Sequence, residues 1–394
     1  MIYTEVKYMP ERSKTYLGSP SIVRLDDGTL IAAHDYFFKE VDGFDDGILR
    51  LTSVYRSEDN GVTWVNCAQL IGAFWSTLFK HQGDLYLIGC DRRYGSIVIR
   101  RSVNGGYTWT YPSDGTHGLL FQGGVAAEPP NYHCAPTPVL VHEGRIYRAY
   151  EDNVTALWPS GFEAFVISAD IDADLLDANS WTMSEKLPFD PSRVPSDWGE
   201  TGPGFLEGNM VAGPDGQVWN ILRMSTEPHS DYAAMVRVSQ DGTSVSFDYE
   251  KDIIRLPGGT HKFTIRRDEK TGLYFTLGNH NTVPGSASQR NVVSLSVSKN
   301  LRDWKVAKTV IEDESGLSEE DSIRLTGFQY VDWQFDGEDI IALVRTAWRG
   351  SVRFHDSNRI TYHVIKGFRQ ICEKSGVLNQ LSSEVPVEIE AVYS

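Results

Sequence analysis

An octapeptide written twice constrains this chain more than any other feature. Ser57-Glu58-Asp59-Asn60-Gly61-Val62-Thr63-Trp64 returns as Ser102-Val103-Asn104-Gly105-Gly106-Tyr107-Thr108-Trp109. In each copy a β-rich run ends in Ser, an Asp/Asn-Gly turn follows, and the chain leaves through Thr-Trp into another β-rich run. An Asp or Asn side chain accepts hydrogen bonds from its own turn, Gly supplies a positive φ, and Trp packs its indole between neighbouring sheets. Two copies 45 positions apart predict a periodic β architecture.

Fainter echoes follow at Ser298-Lys299-Asn300-Leu301-Arg302-Asp303-Trp304, Asp177-Ala178-Asn179-Ser180-Trp181 and Ser239-Gln240-Asp241-Gly242-Thr243. These stretches resemble the Asp-box, or BNR-repeat, motif of sialidase-like β-propellers. The resemblance implies an all-β propeller of four-stranded antiparallel blades in a single domain over 1–394. Six modules are legible as strand, Gly or Asp turn, strand. Their paired runs are 20–25 with 29–35, 75–79 with 84–89, 137–141 with 145–150, 209–212 with 217–222, 262–266 with 273–277, and 330–333 with 340–344. A terminal strand around Val385-Pro386-Val387-Glu388-Ile389-Glu390 is expected to pair with the N-terminal strand, closing the ring or forming part of a seventh blade. Helical periodicity is almost absent.

Composition bounds the partners. Hydrophobic residues at 41% and aromatics at 11% suit a large packed β core. A net charge of −16 argues against nucleic acid or an anionic membrane as a general partner, so an anionic substrate must be met by a local cluster of Arg or Lys. Cys67, Cys90, Cys134 and Cys372 lack metal-ligand spacing and read as buried free thiols. The N-terminus alternates like a strand rather than following a signal-peptide plan, which predicts a cytoplasmic protein, or a secreted one if a leader was removed. No cofactor is required by the residue pattern. The acidic loops Asp42–Asp46 and Glu312–Asp321 offer oxygens to a structural calcium, without ordered ligand spacing. Oligomeric state leaves no sequence signal.

Alternate turns of a blade lie on opposite faces of the disc, so the strand ends that share the face opposite the tight turns can be gathered into one funnel. Second-strand ends bring His34-Asp35, Asp91-Arg92-Arg93, Glu151-Asp152, Arg223, Asn279-His280-Asn281 and Arg345. Innermost-strand starts bring Ser19, Trp75, Tyr132-His133, Glu207, His261-Lys262 and Gln329-Tyr330. Arg223 and Arg345 end apolar strands, placing each cation at the rim of a low-dielectric core where it favours an anion such as a carboxylate. Trp75, Trp158 and Trp348 offer sugar-stacking faces.

Two chemistries fit such a funnel. Sialidases hold the sugar carboxylate with three arginines, attack with a Tyr–Glu pair and use an Asp as acid/base. That resemblance implies Tyr330 with Glu207 as the pair and Asp45 or Asp46 as the acid. The Arg-Ile-Pro signature of the first innermost strand is replaced by Gly18-Ser19-Pro20-Ser21-Ile22, which removes the first arginine, and Arg24 lies farther along. A second resemblance rests on that stretch with His34-Asp35, Tyr132-His133-Cys134-Ala135-Pro136, Leu206-Glu207-Gly208-Asn209, Lys262-Phe263-Thr264-Ile265-Arg266 and Gly327-Phe328-Gln329-Tyr330-Val331-Asp332-Trp333. These are similar to the L-rhamnose-α-1,4-D-glucuronate lyases, propeller enzymes that release rhamnose from glucuronic acid by β-elimination.

The lyase resemblance implies a His base, His34 or His133, with Tyr132 as proton donor to the leaving oxygen and Arg223 and Arg345 on the uronate carboxylate. Asp35, Trp75, Arg92, Arg93, Glu151, Glu207, Lys262, His280, Gln329 and Tyr330 then form the substrate-binding surround. An acidic oligosaccharide or polysaccharide is the expected partner. A sialidase-like or other exo-glycoside hydrolase is the alternative. A glycan-binding propeller without catalysis and a protein-binding scaffold remain the non-enzymatic readings, since the fold hosts all of these.

Overall fold

The computed structural model of the protein describes residues 3–38, 48–124, 128–155, 157–198 and 203–381. Six antiparallel sheets stand around a common axis as the blades of a six-bladed β-propeller. Blade one comprises Thr15–Arg24, Leu30–Phe38, Leu51–Ser57 and Val65–Ile71; blade two comprises Phe74–His81, Asp84–Cys90, Ile97–Ser102 and Leu119–Phe121. In blade three both Tyr132–His133 and Leu140–His142 pair with Arg145–Asn153, followed by Phe162–Asp170 and Trp181–Met183. Blade four comprises Leu206–Ala212, Val218–Arg223 and Tyr232–Val238, with Val245–Ser246 and Ile253–Arg255 sharing the outer position. Blade five comprises Thr264–Arg267, Tyr274–Gly278, Val292–Ser298 and Trp304–Glu312.

Blade six closes the circle. Gly327–Asp336, Asp339–Ala347 and Arg359–Ile365 come from the end of the chain, and the N-terminal strand Thr4–Tyr8 is added as the fourth. The ring is thus closed by pairing Thr4–Tyr8 with Arg359–Ile365; the expected terminal strand around 385–390 lies outside the described residues. The repeated octapeptide builds the same turn twice. Ser57 and Ser102 accept from the Gly61 and Gly106 N–H groups at 2.8 and 2.9 Å, and the Trp64 and Trp109 indoles donate to the carbonyls of those same glycines. All four cysteines carry free thiols, three of them buried.

Faces of neighbouring blades pack through buried aliphatic and aromatic side chains, as where Phe275 and Leu277 of blade five meet Val331 and Trp333 of blade six. Nearer the axis the contacts turn polar, and every blade boundary carries at least one bond within the innermost layer. Leu78 N donates to Ser21 Oγ at 3.0 Å, Thr77 Oγ1 to Thr137 O at 3.1 Å, and Thr137 Oγ1 to Gly208 O at 2.7 Å. Ile265 N donates to Asn209 Oδ1 at 3.1 Å, Thr264 Oγ1 to Val331 O at 2.9 Å, and Ile22 N to Asp332 Oδ2 at 2.8 Å. All six boundaries are stitched in this way. Lys262, expected at the substrate, belongs to this layer: its Nζ donates to Thr264 Oγ1 at 2.8 Å and Val331 O at 2.9 Å.

Four innermost strands carry the same irregularity at their starts. Register shifts fall between Gly18 and Ser21, Phe74 and Thr77, Leu206 and Asn209, and Gln329 and Asp332. At each one a non-glycine residue takes a left-handed backbone: Ser19 at φ 47°, Trp75 at 52°, Glu207 at 54° and Tyr330 at 53°. Bulges of this kind re-aim one side chain out of the strand's alternation.

Asp332 carries more of the axial layer than any other residue, taking Ser21 Oγ and Ile22 N on one oxygen and Trp333 N and Arg266 on the other. Asp332→Ala leaves buried donors and a cation without their acceptor, and should cost about 3–5 kcal/mol. In urea the midpoint should drop with little change in slope, whereas Glu58→Ala on the exposed rim should shift stability by no more than about 0.5 kcal/mol.

Candidate functional site

A cavity of about 700 Å³ opens on the face opposite the tight turns. Three of the four bulged residues, Trp75, Glu207 and Tyr330, line it, so the strained backbone delivers them there. The Tyr330 hydroxyl donates to Glu207 Oε1 at 2.6 Å, and Arg223 Nη1 donates to Glu207 Oε2 at 2.7 Å. Burial pushes the Glu207 carboxyl up, but Arg223, His133 and the Tyr330 hydroxyl together outweigh it and hold the group ionised. Burial, reinforced by the Glu207 charge, pushes the Tyr330 phenol up to about 12. The pair is a neutral phenol held on a carboxylate.

Arginines dominate the rest of the wall: Arg50, Arg93, Arg223, Arg290, Arg345 and Arg353 all line it, against the carboxylates of Glu207 and Asp356. Arg345 donates to Ser357 Oγ at 3.2 Å and His355 O at 2.7 Å, and lies over the Phe37 and Tyr330 rings at 5.3 and 5.2 Å. Arg290 donates to Gln329 Oε1 at 3.0 Å. Among the described residues neither Arg290 nor Arg345 pairs with a carboxylate, unlike Arg223 and unlike Arg353, which meets Asp356 at 3.0 Å. Burial and the nearby Arg223 pull Arg290 down to about 10, and burial lowers Arg345. A bound anion would relieve both.

His133 stands on another part of the wall. Its Nδ1 meets Glu151 Oε2 at 2.8 Å, and its ring lies edge-on to Trp75 and Phe162.

Of the residues expected at the funnel, Trp75, Arg93, His133, Glu207, Arg223, Tyr330 and Arg345 meet in this cavity, together with Trp158. The others are placed elsewhere, mostly because neighbouring strand residues face opposite ways. His34 is buried in blade one against Tyr55 and Tyr36. Tyr132 turns from the cavity towards Phe165 and Lys186. Asp35 accepts from Trp75 N at 2.8 Å and Glu151 from Gly208 N at 3.1 Å, so each holds the bulge of the next blade. Arg92 binds Asp91 and Gly124 O, and His280 lies 3.9 Å from Asp231. Gln329 supports Arg290 from behind, and Trp348 donates its indole N–H to Asp313.

Sequence reading missed Arg50, Tyr94, Arg290, Arg353, His355 and Asp356. All lie in connections between second and third strands, which open on the same face as the second-strand ends; extending the rule by one loop finds them. Asp45 and Asp46, and the acidic loop Asp42–Asp46, fall outside the described residues. The other loop proposed for calcium uses Asp313 as an acceptor for Ser315, Ser322 and Thr326. Among the described residues no three His, Cys, Asp or Glu side chains gather as metal ligands.

Burial of His34 has a consequence for stability. It lowers the imidazole from 6.5 to about 4, so the unfolded chain binds the proton first and stability falls as pH drops through that window. Wild type should lose about 3 kcal/mol relative to His34→Gln between pH 6.5 and 4 in parallel urea titrations. Asp35, pushed up to about 6 by burial, acts in the opposite sense in both proteins and cancels from the difference.

No family model matches the chain, and no curated protein matches it. Solved structures do. A Penicillium chrysogenum α-L-arabinanase complexed with arabinobiose aligns at a TM-score of 0.55 and 15% identity, over 93% of this chain and 98% of that one. A Hadza microbial sialidase aligns at 0.57 and 14%, over 93% and 68%. A Trypanosoma rangeli sialidase in complex with sialic acid aligns at 0.53 and 13%, over 93% and 56%. At these identities the likeness carries the fold: the chain has the six-bladed architecture of sialidase-like propellers.

Proposed function

We propose that this protein is a glycan-acting enzyme that hydrolyses a terminal acidic sugar, with Tyr330 as nucleophile and Glu207 as its base. The observation that carries this reading is the 2.6 Å bond from Tyr330 to Glu207 beside Arg290 and Arg345, two cations without a carboxylate partner among the described residues. An acidic sugar brings its own negative charge, and a carboxylate nucleophile would repel it. A phenol does not. Tyrosine nucleophiles are the known exception among glycosidases for this class of substrate. Glu207 takes the phenolic proton as the C–O bond forms, while Arg223 keeps the carboxylate ionised until then.

Arg290 and Arg345, with Arg223, are the groups that would hold and orient the substrate carboxylate, while the Glu207–Tyr330 pair faces the positive charge of the oxocarbenium-like transition state. The first-blade arginine of sialidases is absent, since Ser19 stands there, and Arg345 of blade six supplies a guanidinium instead. The structural neighbours, two sialidases and an arabinanase, support action on a saccharide.

A second reading, elimination on a rhamnose-capped glucuronate, is supported by His133 sharing the wall with these arginines. An imidazole can take the C5 proton while the arginines stabilise the enolate-like state.

Fluorogenic aryl glycosides of sialic acid, other ulosonic acids and glucuronic acid decide between the readings, run beside neutral arabinosides and a rhamnosyl-glucuronate. Release from an acidic aryl glycoside, reduced about 10³-fold in kcat by Tyr330→Phe and chiefly in KM by Arg290→Ala, is the expected result. Rhamnose released with a matching near-ultraviolet rise from the unsaturated uronate would replace hydrolysis by elimination. Turnover of neutral arabinosides alone, or of nothing, would overturn the acidic-sugar reading.

A further inference from the structure

We propose that His133, positioned by Glu151, is the acid–base group of this cavity. The inference rests on the hydrolytic reading, which names a nucleophile and its base but, among the described residues, no proton donor for the leaving-group oxygen; Asp45 and Asp46 lie outside them.

The dyad is built into the sheet. His133 and Glu151 are direct cross-strand partners in blade three, and Glu151 is fully buried. Its two oxygens serve two donors: Oε2 lies 2.8 Å from His133 Nδ1, and Oε1 accepts from Gly208 N at 3.1 Å. A carboxylate accepts both bonds, so the imidazole carries its hydrogen on Nδ1 and Nε2 is the nitrogen left for the cavity. Trp75 at 4.4 Å and Phe162 at 5.1 Å, both edge-on, fix the ring plane. Gly208 follows Glu207 in the chain. One buried carboxylate therefore registers both the imidazole and the bulge that aims the nucleophile's base.

Other lining groups fit the role less well. Arginines do not release protons at working pH. Tyr330 and Glu207 are committed to each other, and Asp356 is held by Arg353 at 3.0 Å and His355 at 3.3 Å. His355 lies against Arg345, whose charge lowers its pKa to about 4. Tyr16 and Tyr94 are phenols, whereas the group must give and then take a proton near neutrality. Among the described lining residues that leaves His133.

The steps balance. Tyr330 Oη attacks the anomeric carbon and its proton passes to Glu207; the glycosidic C–O bond breaks with its electron pair on the leaving oxygen, which receives the Nε2 proton of the His133 imidazolium. Water then attacks the same carbon and gives a proton to neutral His133. The tyrosyl C–O bond breaks, and Tyr330 regains its proton from Glu207. Glu151 keeps the Nδ1 hydrogen bond throughout and stabilises the imidazolium.

His133→Asn is the variant to test, because its amide can still donate to Glu151. Paired aryl and alkyl glycosides of one acidic sugar report the role: a 4-nitrophenyl leaving group needs no proton, an alkyl or sugar leaving group does. Expected is a loss of about 10²–10⁴-fold in kcat/KM on the alkyl glycoside, less than about 10-fold on the nitrophenyl one, and partial rescue of the former by added imidazole. Glu151→Gln offers one acceptor to two donors; it should shift the tautomer seen in the ¹⁵N spectrum of His133 and reproduce the leaving-group dependence. Equal losses on both glycosides, or none, with the fold intact by circular dichroism, would overturn the assignment while the hydrolytic reading stands. Failure of wild type to cleave any acidic glycoside would overturn both.

Discussion

Hydrogen bonds around the axis, at every one of the six blade boundaries, hold this molecule to its shape. A propeller blade cannot bury its two faces alone, so its stability lies in its neighbours and in closing the circle. The innermost layer carries Ser21, Thr77, Thr137, Asn209, Thr264 and Asp332, each bound to the backbone of an adjacent blade. Polar groups so deep are costly unless every one is satisfied, and a satisfied network specifies a single register. Fixed register sets the innermost strand starts at a common height. A cavity then forms above the polar layer as a consequence of the same bonds.

Strain and charge are concentrated in that cavity. Left-handed backbone at Trp75, Glu207 and Tyr330 costs of order 1–3 kcal/mol each and persists because Asp35 and Glu151 bind two of the bulges from the preceding blades. Residues that read from sequence as substrate contacts are therefore the supports of the contacts. The chain carries a net charge of −16, yet six arginines face one cavity with two carboxylates. A cationic funnel in an acidic body focuses its field on an anion approaching that face and offers no attraction elsewhere.

The periodic features are legible in the amino-acid sequence alone. The two octapeptides, the Asp-Gly and Gly turns and the paired apolar runs point to a propeller, and the six legible modules correspond to its six blades. The site is legible by face and less so by residue. Strand-end reasoning places Trp75, His133, Glu207, Arg223, Tyr330 and Arg345 on one opening, because chain direction alone decides which end of a strand faces up. It fails for His34, Asp35 and Tyr132, where the side that a strand residue faces depends on register and on bulges that shift it. It also passes over Arg290 and His355, which sit in polar loops whose composition resembles any surface connection.

What the sequence determined by itself is local: turn chemistry, strand alternation, the recurrence of one strand–turn–strand module and the lack of a basic surplus. These follow from residue neighbours within a few positions, where side chain and backbone interact directly. The tertiary structure alone decided the closing of the ring by Thr4–Tyr8 on Arg359–Ile365, the 2.6 Å contact between Tyr330 and Glu207, a pair that the sialidase resemblance only implied, and the lack of a carboxylate partner for Arg290 and Arg345 among the described residues. Each joins positions more than a hundred residues apart, or depends on what surrounds a charge inside the cavity. No local preference encodes such a distance, because it is set by how the blades pack.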